Sequence, residues 1–210
     1  MASHAVRPKS VFRNQNSSDV MKVIAEIYFA PDATYADVTW GKGVFFRKLP
    51  AAKVIGLDLK PRYGAQVQAD AAHIPLRDKS VDVVVFDPPH QHGRSSTTTL
   101  KQQDDYGRMA SQNEIHKLCL AAALEIERVA RVGAVIKLTD MVEAGRFMPT
   151  HLLFAAAVAD LFGWPADIGI LDSGVVRPVR HARILHWQEV QSYFLVYRWH
   201  ERAPRSILVG

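Results

Sequence analysis

Val81-Asp82-Val83-Val84-Val85-Phe86, followed at once by Asp87-Pro88-Pro89-His90, decides how this chain is read. Five of the first six residues are apolar and four are valine, the composition of a strand buried on both faces of a parallel sheet. The run then stops at a carboxylate and two prolines. Neither proline can donate a ladder hydrogen bond, and both stiffen the backbone into an extended turn. Open α/β sheets bind ligands just beyond the carboxyl ends of their strands. Asp87 on a double-proline turn at such an edge reads as a device for holding one polar group still. By itself the tripeptide also reads as a helix cap beside a strand terminator, so its surroundings carry the argument.

Those surroundings alternate. Upstream lie short apolar segments at Thr34–Val38, Lys53–Leu57 and Ala65–Ala69, separated by Gly, Pro or Asp. Downstream the spacing predicts a helix over Gln112–Val129, stopped around Gly133, then a strand over Ala134–Leu138. A second apolar helix follows Pro149 and runs to about Phe162, ending at Gly163-Trp164-Pro165. Two strand-like runs close the pattern, Asp167–Leu171 and Ser192–Trp199. Before all of these, Val20, Val23, Ile24 and Ile27 have helical spacing, with Ser17 or Ser18 expected as N-cap. Residues 1–16 read as a polar arm and 201–210 as a tail. Strands alternating with helices indicate a parallel sheet built from right-handed crossovers. The closing pair has no clear helix between its strands, so one antiparallel strand is expected there. No repeat or linker is evident, and 210 residues suit a single domain.

The first of these strands ends in Asp37-Val38-Thr39-Trp40-Gly41-Lys42-Gly43-Val44-Phe45. Two glycines spaced by one residue let a backbone turn sharply and approach a ligand. Asp58 closes the next strand, 21 residues after Asp37, a spacing that suits a carboxylate accepting from a ribose diol. Asp70 ends the third segment and Asp87 the fourth. Four carboxylates along one sheet edge would repel phosphates, which disfavours a dinucleotide. Phe46 also stands where a phosphate-cradling fingerprint wants its third glycine. A cationic, phosphate-free adenosine ligand fits better, and S-adenosyl-L-methionine is one.

On these residues, Asp37-x-Thr39-x-Gly41-x-Gly43-x-Phe45, Asp58, Asp70 and Asp87-Pro88-Pro89-His90, the chain resembles the class I S-adenosylmethionine-dependent methyltransferases. The branch it resembles methylates exocyclic amino groups of nucleic-acid bases, in DNA and, for guanine, in transfer RNA. The resemblance covers roughly residues 33–138. It implies an α/β, Rossmann-like methyltransferase fold: a mostly parallel seven-stranded sheet with one antiparallel strand and helices on both faces. It implies that Gly41 and Gly43 admit the methionine part, Asp37 meets its amino group directly or through water, Asp58 holds the ribose and Asp70 the adenine. Thr39, Phe45 and Ala71 complete the implied cofactor set, and S-adenosyl-L-homocysteine is the implied product. Asp87 and the Pro88 carbonyl would accept the two N–H bonds of the target amine, with Pro89 fixing the turn. The aromatic position that stacks on an extruded base is His90 in this chain, a departure that puts the target base in doubt.

After His90 come about twenty residues of little periodicity, up to Met109. Beside a reacting centre such a stretch reads as a substrate-ordered lid, and otherwise as a surface loop. In the first case Arg94 would meet phosphate and Tyr106 would stack. Arg177, Arg180, His181, Arg183 and His186 fall within ten residues, either a phosphate-contacting patch or solvated loop. The net charge of +5, from 26 Lys and Arg against 21 Asp and Glu, permits a polyanionic partner without establishing one. Lys137, at the end of the fifth strand, reads first as an ordinary strand-end lysine and second as one that faces the cofactor edge. Cys119, the single cysteine, reads as an inert buried thiol and excludes an internal disulfide. Nine histidines without ligand spacing predict no metal site. No apolar run is long enough for a bilayer and the first residues lack a signal-peptide core, so a cytoplasmic, intracellular protein without membrane partner is expected.

The leading expectation is therefore methyl transfer to an exocyclic base amine, with DNA ahead of RNA as partner and a homodimer left open. A transfer-RNA guanine methyltransferase, a small-molecule or protein amine methyltransferase, and a non-catalytic cofactor-binding subunit are the alternatives.

Overall fold

The computed structural model describes residues 10–61, 63–89, 112–143, 146–176 and 189–199. Its strands are β1 (Val11–Arg13), β2 (Thr34–Asp37), β3 (Lys53–Asp58), β4 (Val67–Gln68), β5 (Val81–Phe86), β6 (Ala130–Thr139), β7 (Met141–Glu143), β8 (Arg146–Met148), β9 (Asp167–Val176) and β10 (Glu189–Arg198). The helices are α1 (Ser17–Tyr28), α2 (Gln112–Val129), α3 (Thr150–Ala157) and α4 (Ala159–Phe162).

Eight strands form one sheet in the order β1-β9-β10-β6-β5-β2-β3-β4, while β7 and β8 pair as a separate hairpin. β10 runs antiparallel to both its neighbours, and the other pairings are parallel. The expected antiparallel strand is thus present, but the sheet has eight strands where seven were expected. The additional one is β1, inside the supposed polar arm. It pairs with β9 through Val11↔Ile170, Phe12↔Leu171 and Arg13↔Asp172, and Phe12 is buried.

Alternation along β5 sends Val84 and Phe86 to one face and Val83 and Val85 to the other. The first face packs against α2, α3 and α4 through Ile115, Cys119, Ile126, Phe154 and Phe162. The second packs against α1 (Val20, Met21, Ile24) and against Phe45 and Phe46 from the turn after β2. Burial pushes the Cys119 thiol up to about 12, as an inert thiol requires. No helix among the described residues is long and apolar enough to cross a membrane.

Three local details depart from the sequence expectation. Asn16 caps α1, not Ser17 or Ser18: its side chain accepts from Ser18 and Asp19, and the Asp19 carboxylate accepts from the Asn16 N–H. That reciprocal box satisfies donors the helix start would otherwise leave unpaired. Helix α2 ends at Val129 and β6 begins at Ala130, so Gly133 does not stop the helix. Gly133 lies inside β6 opposite Arg198, where a Cβ would fall 2.0 Å from the Tyr197 carbonyl oxygen. Helix α3 gives way to α4 at Val158, so the second apolar helix is two short ones.

Candidate functional site

Because β2, β3, β5 and β6 are parallel, their final residues share one edge of the sheet. Asp37 is the last residue of β2, Asp58 the last of β3, and Asp87 follows β5 directly. Asp37 pairs in register with Gly56 on one side and Val85 on the other, which centres its carboxyl beneath the glycine turn.

That turn is fastened on three sides. The Thr39 N–H donates to Asp37 Oδ1 (3.1 Å). The Trp40 N–H donates to the Leu57 carbonyl (2.9 Å), and the Gly41 N–H donates to Asp58 Oδ2 (2.8 Å). The other Asp58 oxygen accepts from the Lys60 N–H (2.8 Å). Asp58 therefore holds the turn itself, and only its remaining lone pairs are open to a diol.

The two glycines have different reasons to be glycine. Both have positive φ, 52° at Gly41 and 61° at Gly43. A Cβ on Gly41 would find nothing closer than 3.8 Å, which keeps open space for an approaching ligand. A Cβ on Gly43 would collide with the Trp40 indole at 2.6 Å, and one on Gly56 with the same ring at 2.5 Å. The indole is thus seated between two glycines, with its N–H donating to the Tyr63 carbonyl (3.2 Å).

Asp37 is fully buried. Burial pushes its carboxyl up to about 8, and the nearby Asp87 and Asp58 push the same way against the Thr39 N–H bond. Its Oδ2 has no hydrogen-bond partner among the described residues. A buried polar oxygen without a partner is costly, and an ammonium group meeting the ionised carboxylate, or a bridging water, is the chemistry that would complete it. In that respect the residues present fit the expected cofactor.

Asp87 is coupled to this turn. Its N–H donates to Thr39 Oγ1 (2.7 Å), so Thr39 joins the glycine turn to the Asp-Pro-Pro turn. Pro88 is buried and Pro89 half-buried. The Asp87 side chain accepts from Lys137 Nζ (2.9 Å), with side-chain exposures of 20% and 14% respectively. Lys137 also stands 5.7 Å from the centre of the Phe45 ring. It therefore faces the carboxylate edge, the second of its two sequence readings and not the first. Phe45 itself packs edge-on against Phe194 in the core and is 2% exposed, placing it beneath the site and not on an open surface.

Asp70 lies two residues past β4, half-exposed, with Oδ1 accepting from the Ala72 N–H (2.9 Å); Ala71 beside it is buried. The remaining sequence candidates, His90, Arg94, Tyr106, Arg177, Arg180 and Arg183, lie outside the described residues.

One further cluster at this edge escaped the sequence reading. Asp140, just past β6, holds His151 Nδ1 at 2.6 Å, and the imidazole stacks on Tyr193 with centroids 3.7 Å apart and planes 6° from parallel. His151 lies eleven positions after Asp140, and only the fold brings Tyr193 to them. For Lys137 a signal did exist: it is a charge inside an otherwise apolar run, Ala134–Leu138.

Neither a family model nor a curated protein sequence matches the chain. Solved structures do. An SAM-dependent methyltransferase from Methanosarcina mazei aligns over 83% of this chain and 96% of its own, with 12% identity and a TM-score of 0.50. A protein from Thermoplasma acidophilum aligns over 88% and 89%, with 11% identity and a TM-score of 0.52. The chain has the Rossmann-like methyltransferase fold. The magnesium protoporphyrin IX methyltransferase of Synechocystis, solved with bound SAH, shares this methyltransferase fold over 87% of this chain and 81% of its own, with 13% identity and a TM-score of 0.50. At such identities the likeness is one of fold.

Proposed function

We propose that the protein is an S-adenosyl-L-methionine-dependent methyltransferase acting on an exocyclic amino group of a nucleic-acid base, with DNA ahead of RNA. The observation that carries this reading is the Thr39 bridge. The Thr39 side chain ties the turn that begins at Asp37, whose Oδ2 has no partner among the described residues, to the turn that presents Asp87. Sites for a cationic cofactor and for an amine thereby become a single rigid unit at one sheet edge.

Asp37 would receive the amino group of the methionine part, Asp58 the ribose through its free lone pairs, and Asp70 the adenine. When bound, the cofactor supplies an electrophilic methyl group on sulfur. The chain's own residues do the rest. The Asp87 carboxylate and the Pro88 carbonyl accept the two N–H bonds of the target amine, and this grip aims the nitrogen lone pair. Asp87 would also stabilise the positive charge that grows on nitrogen as the methyl group passes to it from sulfur, with S-adenosyl-L-homocysteine as leaving group and the surplus N–H proton lost to solvent. The two prolines keep those acceptors fixed, so little reorganisation accompanies the reaction.

The test is mass spectrometry of nucleosides from DNA and RNA incubated with the protein and isotope-labelled cofactor. An N-methylated base is expected with the native protein. None is expected with Asp87→Ala, whose cofactor affinity should stay close to native. Undiminished transfer by a folded Asp87→Ala protein would remove the proposed amine grip.

A further inference from the structure

We propose that Lys137 reads the substrate: with Asp87 it forms a donor–acceptor pair selecting an amino group whose neighbouring ring atom is a hydrogen-bond acceptor. On the Watson–Crick edge that pattern belongs to adenine and cytosine. Guanine carries its ring acceptor N3 on the other flank of its amino group; on the Watson–Crick edge it presents a ring N–H and, read on that edge, is rejected. The inference rests on the function proposed above and names the substrate class of that same site.

The placement of Lys137 motivates it. Ala134, Val135, Ile136 and Leu138, its neighbours in β6, are all at most 1% exposed. Ile136 pairs with Phe86, so Lys137 stands beside Asp87 by register. A lysine is rarely drawn this far out of water without a role. Asp87 accepts one of its three N–H bonds, and the Phe45 ring lies beside the ammonium. An ammonium carries three donors and no acceptor. Lys137 therefore has donor capacity left for a substrate atom adjacent to the amine that Asp87 accepts from.

The two charges 2.9 Å apart present a donor beside an acceptor, complementary to the edge of an aminopurine or aminopyrimidine. Extruded bases are read on that Watson–Crick edge. A ring N–H facing the Lys137 ammonium would set donor against donor, which is the kind of mismatch that discriminates strongly in a desolvated site. The same reasoning disfavours aliphatic amines, which have no adjacent acceptor to offer.

The experiment compares methylation of single-stranded oligonucleotides carrying one target base: adenine, 1-deazaadenine, cytosine, 3-deazacytosine or guanine. With the native protein, loss of the ring acceptor should lower kcat/KM by about 10- to 100-fold, the range for a hydrogen bond from a charged donor. Lys137→Met should lower the rate on the natural base and erase its advantage over the deaza analogue. Lys137→Gln, which keeps an amide donor, should retain part of that advantage. A merely structural lysine would slow both substrates alike and leave the ratio unchanged. Equal native rates on natural and deaza bases, or methylation of guanine alone, would overturn the inference while leaving the amine methyltransferase intact. Methylation of none of the bases would overturn the parent reading, and this inference with it.

Discussion

Replacing Asp37 by Asn tests the most strongly shifted carboxyl among the described residues. The folded carboxyl is raised from its ordinary 3.8 to about 8, chiefly by burial. Between those values the folded chain keeps a proton that the unfolded chain has released. Stability conferred by that retained proton is complete below about pH 4 and is lost as pH rises through about 8. The slope is at most about 1.4 kcal/mol per pH unit for one proton. The native protein should therefore lose about 3 kcal/mol relative to Asp37→Asn between pH 5 and 7. The amide keeps an oxygen for the Thr39 N–H and has no charge to bury, so the variant lacks this slope. Denaturant unfolding of both proteins at several pH values measures the difference directly. The cofactor adds an independent reading. An ammonium placed against the unpartnered Oδ2 favours the ionised carboxylate, so binding near pH 7 should release close to one proton and tighten toward pH 8. Calorimetry in buffers of different ionisation enthalpy counts that proton. Parallel pH–stability profiles for the two proteins, with no proton released on binding, would show Asp37 to be an ordinary carboxylate and refute the reasoning.

Asp58→Ala should weaken cofactor binding by about 1–3 kcal/mol in calorimetry, and should also speed amide exchange at Gly41, whose N–H loses its acceptor; unchanged affinity would take Asp58 out of the binding site. Gly133→Ala should destabilise the fold by about 3 kcal/mol or more, because a Cβ only 2.0 Å from the Tyr197 carbonyl oxygen must push β10 off β6; thermal unfolding near the native midpoint would contradict that contact. Neutralising Arg177, Arg180 and Arg183 together should flatten the salt dependence of nucleic-acid binding by about three charges' worth, and an unaltered slope in filter-binding titrations would assign them to solvated loop.

Local signals carried the sequence reading where they were strong. Val81–Phe86 and Gln112–Val129 have the bounds the pattern predicts, because a valine-rich run and a long 3.6-residue period each admit one solution. Where several residues offered the same local chemistry, tertiary or reciprocal contacts decided. Asn16, Ser17 and Ser18 are all good caps, yet only Asn16 has an acidic residue three positions on to close the box. Gly133 carries a helix-stop signal in sequence, and its actual reason is the backbone of a strand more than sixty residues away. The site divides along the same line. The aspartates at strand ends were legible because parallel strands must bring their ends to one edge. The partnership of Lys137 with Asp87, and of Asp140 with His151 and Tyr193, depends on register and helix placement that no spacing rule encodes.

The short strand β1 has a consequence for how the molecule meets its own kind. Only Val11, Phe12 and Arg13 pair with Ile170, Leu171 and Asp172, but they do so at the outermost border of the sheet. The buried Phe12 ring and the Arg13–Asp172 ion pair, at 3.5 Å, hold them there. An uncovered border of β9 would offer bare N–H and C=O groups to any extended chain, including another copy of itself. A protein beginning at Asn14 should lose the Phe12 packing but keep its carboxylate edge, and should self-associate more strongly than the intact chain at equal concentration. In that sense the three residues of β1 act as a selvedge, finishing the sheet against unravelling into its neighbours.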